Sequence, residues 1–508
     1  MWRSCILLFV LGASVTFAFA PFNAWWLPFV VFPIWFYIQA GTREHSFKLA
    51  WCFSFAYFAA GISWIHVSIA EHGGLPLIVS IAMMAVLSAY LALFPAISMY
   101  LCNRFSNKRV WPLTLPFIWL ILEWLRANFM TGFPWLSVAY SQIDGPLSAW
   151  IPLVGEIGLS AILIMITVNL GLNLRLKRDD NTWHLHGIQS VFVALVFSIS
   201  GYVLNDINWS QPTGETKKVT IVQGNIEQTV RWVPEQDRPT MQKYWNLTEP
   251  HWNSDLIVWP EAAIPKLEIA ATSFLELLDE KATETNTALI TGIVDVNYET
   301  KMIYNNLLSL GNDELALNAI PYQYGHENRF SKHHLLPIGE FVPFESVLRT
   351  LAPIFDLPMS SFSRGDYVQP NLKANGMLLA PAICFEIAFP NQIRANLNQD
   401  TDAIITVSND AWFGDSHGPH QHLEIAQMRA KEFGLPVIRS TNTGITAFID
   451  HTGKIVSIAS QFEDTTLTQD IQLVKGDTPY RIFGNSPTYL FFFALFIVGF
   501  FIHRKIRT

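Results

Sequence analysis

Eight apolar stretches divide this sequence unevenly. Seven, at 4–20, 24–40, 50–69, 75–101, 111–125, 158–174 and 187–203, precede a long polar segment, and the eighth, at 486–502, follows it. Each holds roughly 15 to 27 residues, near the ~20 that a helix rising ~1.5 Å per residue needs to cross ~30 Å of hydrocarbon. In lipid every backbone N–H and C=O must find a partner within the chain, which restricts such spans to helices. The pattern predicts a polytopic helical membrane domain with eight transmembrane helices: seven within 1–205 and the last, with a basic tail, at 486–508. A single polar domain occupies 206–485. Composition agrees, because 51% of residues are hydrophobic and 15% charged while the mean hydropathy is only +0.27, as expected when lipid-facing and water-facing segments share one chain.

Lys and Arg fix the orientation. Arg3, the pair Arg43 and Lys48, the trio Arg104, Lys108 and Arg109, the trio Arg175, Lys177 and Arg178, and the tail Arg504, Lys505 and Arg507 fill every second connection, and Arg126 is the exception among the others. Cytoplasmic loops carry such residues, so both termini are expected in the cytoplasm and the polar domain on the far side of a bacterial inner membrane. Ala18-Phe19-Ala20 also has the small-x-small form of a signal cleavage site, and cleavage there leaves the side of the polar domain unchanged. The formal net charge of −8, with no concentrated basic face, excludes a nucleic-acid partner.

Of four cysteines, Cys5, Cys52 and Cys102 lie in or beside apolar stretches, and only Cys384 lies in the polar domain. It has no disulfide partner there. A lone thiol in an oxidising compartment is either buried or used. From Lys217 onward, short apolar runs at 219–222, 256–259, 288–291, 378–384, 403–408 and 436–438 read as buried strands alternating with helical stretches, one of them at 424–433 and ended by Gly434. This implies an α/β domain with its functional groups on loops at strand ends.

Three segments carry chemistry: Val258-Trp259-Pro260-Glu261, Phe330-Ser331-Lys332-His333-His334-Leu335-Leu336-Pro337 and Ile383-Cys384-Phe385-Glu386. Cys, Glu and Lys are what thiol-based acyl transfer needs: a nucleophile, a base for its proton, and a cation for the oxyanion. In this order and with these neighbours they resemble the Glu-Lys-Cys triad of the nitrilase, or carbon-nitrogen hydrolase, superfamily. Val222-Gln223-Gly224-Asn225, Gly339-Glu340-Phe341-Val342-Pro343 and Ser408-Asn409-Asp410-Ala411-Trp412-Phe413 extend the likeness. It implies an αββα sandwich. With seven apolar stretches before the domain and one after, the chain resembles the apolipoprotein N-acyltransferase family.

That resemblance implies a ping-pong enzyme. A fatty acyl chain would move from a phospholipid to Cys384 as a thioester, then to the α-amino group of the N-terminal diacylglyceryl-cysteine of an apolipoprotein. Glu261 would be the general base, and Lys332 with the backbone N–H of Phe385 would form the oxyanion site. The Lys332 charge is expected to favour the Cys384 thiolate. Glu340 and Glu386 would orient Lys332 and tune the base, or form a structural ion pair. Trp232 aligns with a lid tryptophan of the family, or is a partly buried loop aromatic. Family members commonly carry Tyr after the nucleophile; Phe385 stands here, so no hydroxyl at this position is required. No cofactor or metal is implied. The alternative is a membrane-tethered nitrilase or amidase that hydrolyses a small amide with the same triad.

Three further features stand apart. His417, His420 and His422 are close in sequence, but Gly418-Pro419 argues against a helical zinc-binding face before the helix begins. Glu123 and Arg126 are spaced for an i,i+3 ion pair near the outer end of the fifth span. The apolar stretch 351–362 suits an arm dipping into the outer leaflet, or core packing.

Overall fold

The computed structural model describes residues 2–42, 44–180, 195–197, 199–311, 321–337, 339–341 and 362–507. The expected arm at 351–362 lies outside them, save Phe362. The chain forms two compact units, one of Met1–Trp209, Asp415–Glu424 and Asp477–Thr508, the other of Ser210–Gly414 and Ile425–Gly476.

The first unit is helical. Among the described residues four helices are long and apolar enough to cross a membrane: Leu77–Phe105, Lys108–Asn128, Ser148–Arg175 and Ser486–Lys505. They coincide with four of the eight apolar stretches. A fifth stretch, 50–69, is a helix pair, Ser46–Gly61 and Ile65–His72, bent by 60° at the break. The first two stretches form shorter helices, Trp2–Ala18 and Pro28–Gln39, and 187–203 falls largely outside the described residues. Twelve residues rise only ~18 Å, so Pro28–Gln39 is too short to cross ~30 Å of hydrocarbon despite its apolar composition.

The predicted i,i+3 pair is present. Arg126, fully buried, donates from Nε to Glu123 Oε2 at 2.9 Å and from Nη2 at 2.5 Å. Its remaining nitrogen, Nη1, reaches the carbonyls of Phe133 and Trp135 at 2.6 and 2.7 Å, so one guanidinium pins the loop that follows its helix. The histidines do separate work. His417 Nε2 bonds the Gly61 carbonyl freed at the helix break (3.0 Å), and the buried His422 ring packs 5.5 Å from that of Trp135. The helix that carries His420 and His422, Gly418–Phe433, starts six residues before the expected 424, because Pro at the second position of a helix costs no intrahelical bond.

The second unit is a sandwich of two six-stranded sheets. The first has the order β12-β1-β2-β3-β4-β5, with β1 Gln211–Gln223, β2 Leu256–Val258, β3 Ala288–Asn297, β4 Met302–Gly311, β5 Arg329–Ser331 and β12 Thr465–Lys475. The second runs β11-β10-β9-β8-β7-β6, with β6 Leu372–Ala374, β7 Met377–Ile383, β8 Ala403–Ser408, β9 Val437–Thr441, β10 Ala447–Ile449 and β11 Ile455–Ile458. Each sheet has a parallel centre, β1-β2-β3 and β7-β8-β9, with antiparallel flanks.

Alternation along the strands builds the layers. Val219, Ile221, Leu256, Val258, Ala288, Ile290 and Leu307 of one sheet meet Leu379, Ile383, Ile405, Val407 and Ile438 of the other. The opposite face of the first sheet, with Ile257, Trp259, Leu289, Ile293 and Leu308, buries against Tyr244, Leu275, Leu278 and Ala282 of helices Pro234–Thr248 and Thr272–Glu284. Parallel neighbours need crossovers, which helices Pro390–Asn396 and Gly418–Phe433 supply between β7, β8 and β9. This is the αββα arrangement the motifs implied.

Candidate active site

Glu261 lies three residues beyond β2, Lys332 directly after β5, Cys384 directly after β7 and Asn409 directly after β8. Loops at the ends of the strands thus bring together residues far apart in sequence. Lys332 Nζ lies 2.8 Å from Glu340 Oε1 and 3.4 Å from Glu261 Oε1, with all three side chains nearly removed from solvent. Cys384, half-buried, feels the charges of Glu261 and Lys332 directly.

The Glu261 carboxylate is used only as an acceptor. Oε1 receives Asn305 Nδ2 at 2.8 Å as well as Lys332, and Oε2 receives the Asn409 backbone N–H at 2.9 Å. Donors on every side suit an ionised carboxylate. The chain around it is held tightly: the buried Arg231 donates from Nη2 to the carbonyl of Glu261 and to that of Ala262 (2.6 Å), and Ala262 sits at φ +45°. Gly292 on β3 makes the approach of this loop feasible, since a Cβ there would lie 2.4 Å from Ala262 N and 2.8 Å from Glu261 Cα.

Cys384 is strained too, at φ +54°. A non-glycine residue there costs about 1–3 kcal/mol and persists only where its surroundings over-determine it. Glu386 is one such constraint. From a fully buried position its Oε2 accepts the Ile383 N–H at 2.8 Å, and its Oε1 accepts the N–H groups of His333 (2.8 Å) and His334 (3.0 Å) and Gln392 Nε2 (2.7 Å). One carboxylate therefore ties the residue before the nucleophile to the two residues after the lysine. Phe385 is the second constraint: its ring is buried 5.0 Å from that of Phe389, which stacks on His334 at 3.5 Å. The side chain after the nucleophile is an apolar packing element here.

Glu340 bonds Lys332, accepts Asn305 Nδ2 at 3.3 Å, and takes the Leu336 N–H at 2.8 Å on its other oxygen. Glu340 thus bonds the Lys332 ammonium itself, whereas Glu386 bonds the backbone after Lys332 and before Cys384. Trp232 is 40% exposed at the surface beside Arg231. Asn305, Arg231 and the backbone N–H of Asn409 were not singled out from sequence. Asn409 lay within a recognised motif, whereas Asn305 sits inside a strand and Arg231 next to the more conspicuous Trp232.

The electrostatics follow from burial and the neighbouring charges. Burial lowers the Lys332 ammonium, but Glu340, Glu261 and Cys384 outweigh it, so its pKa stands above the ordinary lysine value and the cation persists. Burial pushes the Cys384 thiol far up and Glu261 adds to this; Lys332 opposes but does not reverse it. At rest the group is a thiol, because a desolvated sulfur beside a carboxylate gains too little from one shared ammonium to ionise. Proton removal therefore accompanies attack.

The same division into parts appears in known proteins. Residues 218–478 match the carbon-nitrogen hydrolase family model, and residues 11–168 match the apolipoprotein N-acyltransferase N-terminal domain. Among curated relatives, the apolipoprotein N-acyltransferase of Photobacterium profundum is 46% identical over 486 residues, 94% of this chain and 91% of its own. That of Shewanella oneidensis is 44% identical over 98% of this chain and 96% of its own, and that of Haemophilus influenzae 39% identical over 99% and 96%. Identity at that level across both the helical part and the sandwich means that the chain belongs to the apolipoprotein N-acyltransferase family.

Proposed function

We propose that this chain is a membrane-bound N-acyltransferase that moves a fatty acyl group from a phospholipid, through a thioester on Cys384, to the α-amino group of a lipoprotein's N-terminal diacylglyceryl-cysteine. The observation that carries this reading is the convergence of Glu261 and Lys332 within 3.4 Å, both acting electrostatically on the one cysteine of the sandwich, in a chain whose relatives match it from end to end.

In the first half-reaction Glu261 takes the Cys384 proton as the sulfur attacks the ester carbonyl. Lys332, with the Phe385 backbone N–H, stabilises the tetrahedral oxyanion, and the lysophospholipid alkoxide leaves with a proton from Glu261. In the second, Glu261 takes one proton from the incoming ammonium, the amine attacks the thioester, the departing thiolate recovers its proton from Glu261, and the second nitrogen proton passes through Glu261 to water. Glu340, Asn305 and Glu386 act through Lys332, Glu261 and the Cys384 backbone; they are positioning residues. Trp232, exposed beside the Glu261 loop, is assigned to lid motion.

The sandwich domain is taken as 206–485 on the extracytoplasmic face, with both termini cytoplasmic and eight helices crossing the membrane, following the distribution of Lys and Arg. Membrane hydrolysis of a small amide by the same triad is not favoured, because the relatives' similarity includes the helical part. The test is mass spectrometry of N-terminal lipopeptides made with the wild-type enzyme and with Cys384→Ala. Amine acylation by the wild type alone supports the transferase; free fatty acid without N-acyl peptide removes it.

A further inference from the structure

Two motifs, Val222-Gln223-Gly224-Asn225 and Ser408-Asn409-Asp410-Ala411-Trp412-Phe413, supply no side chain to the acyl transfer described above. The segments they open into meet through a chain of amides. Asn442, directly after β9 and fully buried, clamps the backbone of Ile226 from both sides: its Oδ1 accepts the Ile226 N–H at 2.9 Å and its Nδ2 donates to the Ile226 carbonyl at 2.7 Å. The second hydrogen on that nitrogen goes to Asn409 Oδ1 at 3.0 Å. Asn409, also buried, donates from its own Nδ2 to Gln228 Oε1 at 2.6 Å. Asn225, turned off β1 at φ +48°, adds a bond from its N–H to the Asn442 carbonyl at 2.9 Å. The chain thus joins the end of β1 in one sheet to the ends of β8 and β9 in the other.

An asparagine amide has two hydrogens to give and one oxygen to accept with. Both Asn442 hydrogens are committed, and Asn409 is gripped at the oxygen and at the nitrogen of its amide. A polar network whose members are satisfied is rigid. Fixing the Asn409 side chain also fixes the backbone N–H that the same residue gives to Glu261 Oε2 at 2.9 Å. Burial alone does not demand the link to Gln228, because Gln228 is half-buried on its loop and could bond water instead. The same loop reaches the base a second time, through Arg231 to the carbonyls of Glu261 and Ala262. We propose that Gln228 is a positioning residue for the general base: by holding the Asn409 amide it aims the Asn409 N–H at Glu261 and keeps that carboxylate aligned with the Cys384 sulfur. A carboxylate with a loose supporting donor samples orientations that cannot take the proton, and misplacing a catalytic group costs rate rather than affinity.

The proposal rests on Glu261 being the base of the thioester reading, and two measurements on the full-length protein keep the two apart. The first is the rate at which the Cys384 acyl-enzyme forms from total bacterial phospholipid in detergent micelles, followed by mass spectrometry. Gln228→Met keeps the length of the side chain and removes its oxygen, whereas Gln228→Glu keeps an oxygen to accept from Asn409. At saturating phospholipid Gln228→Met is expected to acylate about tenfold more slowly than wild type, and Gln228→Glu to stay within about threefold of it. The half-saturating phospholipid concentration and the melting temperature should not move, since Arg231 and the backbone bonds of Asn225 and Ile226 still hold the loop. Wild-type acylation by Gln228→Met overturns the proposal, as does an equal loss in both variants. A change confined to the half-saturating concentration means that the loop touches lipid instead, and overturns it too. The second measurement is hydrogen exchange of the peptide containing Asn409, without substrate: exchange of its amide should be about tenfold faster in Gln228→Met and unchanged in Gln228→Glu. Should the wild type form no acyl-enzyme, the thioester reading falls and exchange decides the positioning alone, with equal exchange in wild type and Gln228→Met counting against it.

Discussion

Cys384 at φ +54° and Ala262 at φ +45° mark two strained loops at the site, and each strain is held by a buried polar side chain, Glu386 for one and Arg231 for the other. Replacing Glu386 with Ala leaves the N–H groups of Ile383, His333 and His334 without their acceptor. At about 1–3 kcal/mol for each buried donor left unpaired, Glu386→Ala should lose at least ~3 kcal/mol of stability in thermal melts and form little acyl-enzyme. Glu386→Gln retains one acceptor oxygen and should recover part of both. For Asn305→Ala, which removes the amide shared by Glu261 and Glu340, acyl-enzyme formation is expected to fall ten- to a hundredfold with little change in melting. The chemistry-bearing residues were readable because Glu, Lys and Cys each stand in a short motif beside an apolar strand. Asn305 and Arg231 were not, since a polar residue within a strand and an arginine in a loop look the same whether they face water or a buried carboxylate. The pull of Lys332 toward the thiolate was readable from the motifs, whereas the burial that outweighs it is not reported by sequence.

Among the elements, β8 was read to the residue and β2 and β7 to within one residue, whereas only parts of β1, β3 and β9 were read, because buried parallel strands are continuous apolar runs only where both faces are covered. The strands passed over are β4, β5, β6, β10, β11 and β12. β4 carries Asn305 and Asn306 in mid-strand, and β12 is a polar edge strand with alternating exposure, Thr465–Lys475, that resembles a loop in composition. β3 shows how an element sets the site. Gly292→Ala introduces a Cβ into the backbone of the Glu261 loop, an overpacking costing about 1–3 kcal/mol. The expected outcome is a folded protein with far-UV circular dichroism like wild type but acyl-enzyme formation reduced at least tenfold, because a displaced base loses its alignment with the sulfur.

For the molecule as a whole, the division into a helical unit and a sandwich was evident from hydropathy, whereas the number of crossings was less so, since apolar stretches of similar composition became long helices, a bent pair and short helices. Topology is open to direct test. Thr300→Cys, on an exposed turn of the sandwich, should react with a membrane-impermeant maleimide in intact spheroplasts, while Arg504→Cys at the end of the last helix should react only after lysis. The reverse pattern would put the sandwich in the cytoplasm. The thioester remains the claim on which the chemistry depends, and it is most directly tested by incubating the purified enzyme with phospholipid and examining the Cys384 peptide by mass spectrometry before any acceptor is added. The account predicts one fatty acyl group on that peptide, released by hydroxylamine, absent from Cys384→Ala, and discharged when a diacylglyceryl-cysteine peptide is supplied. A folded enzyme that N-acylates the peptide while Cys384 never carries an acyl group would contradict it.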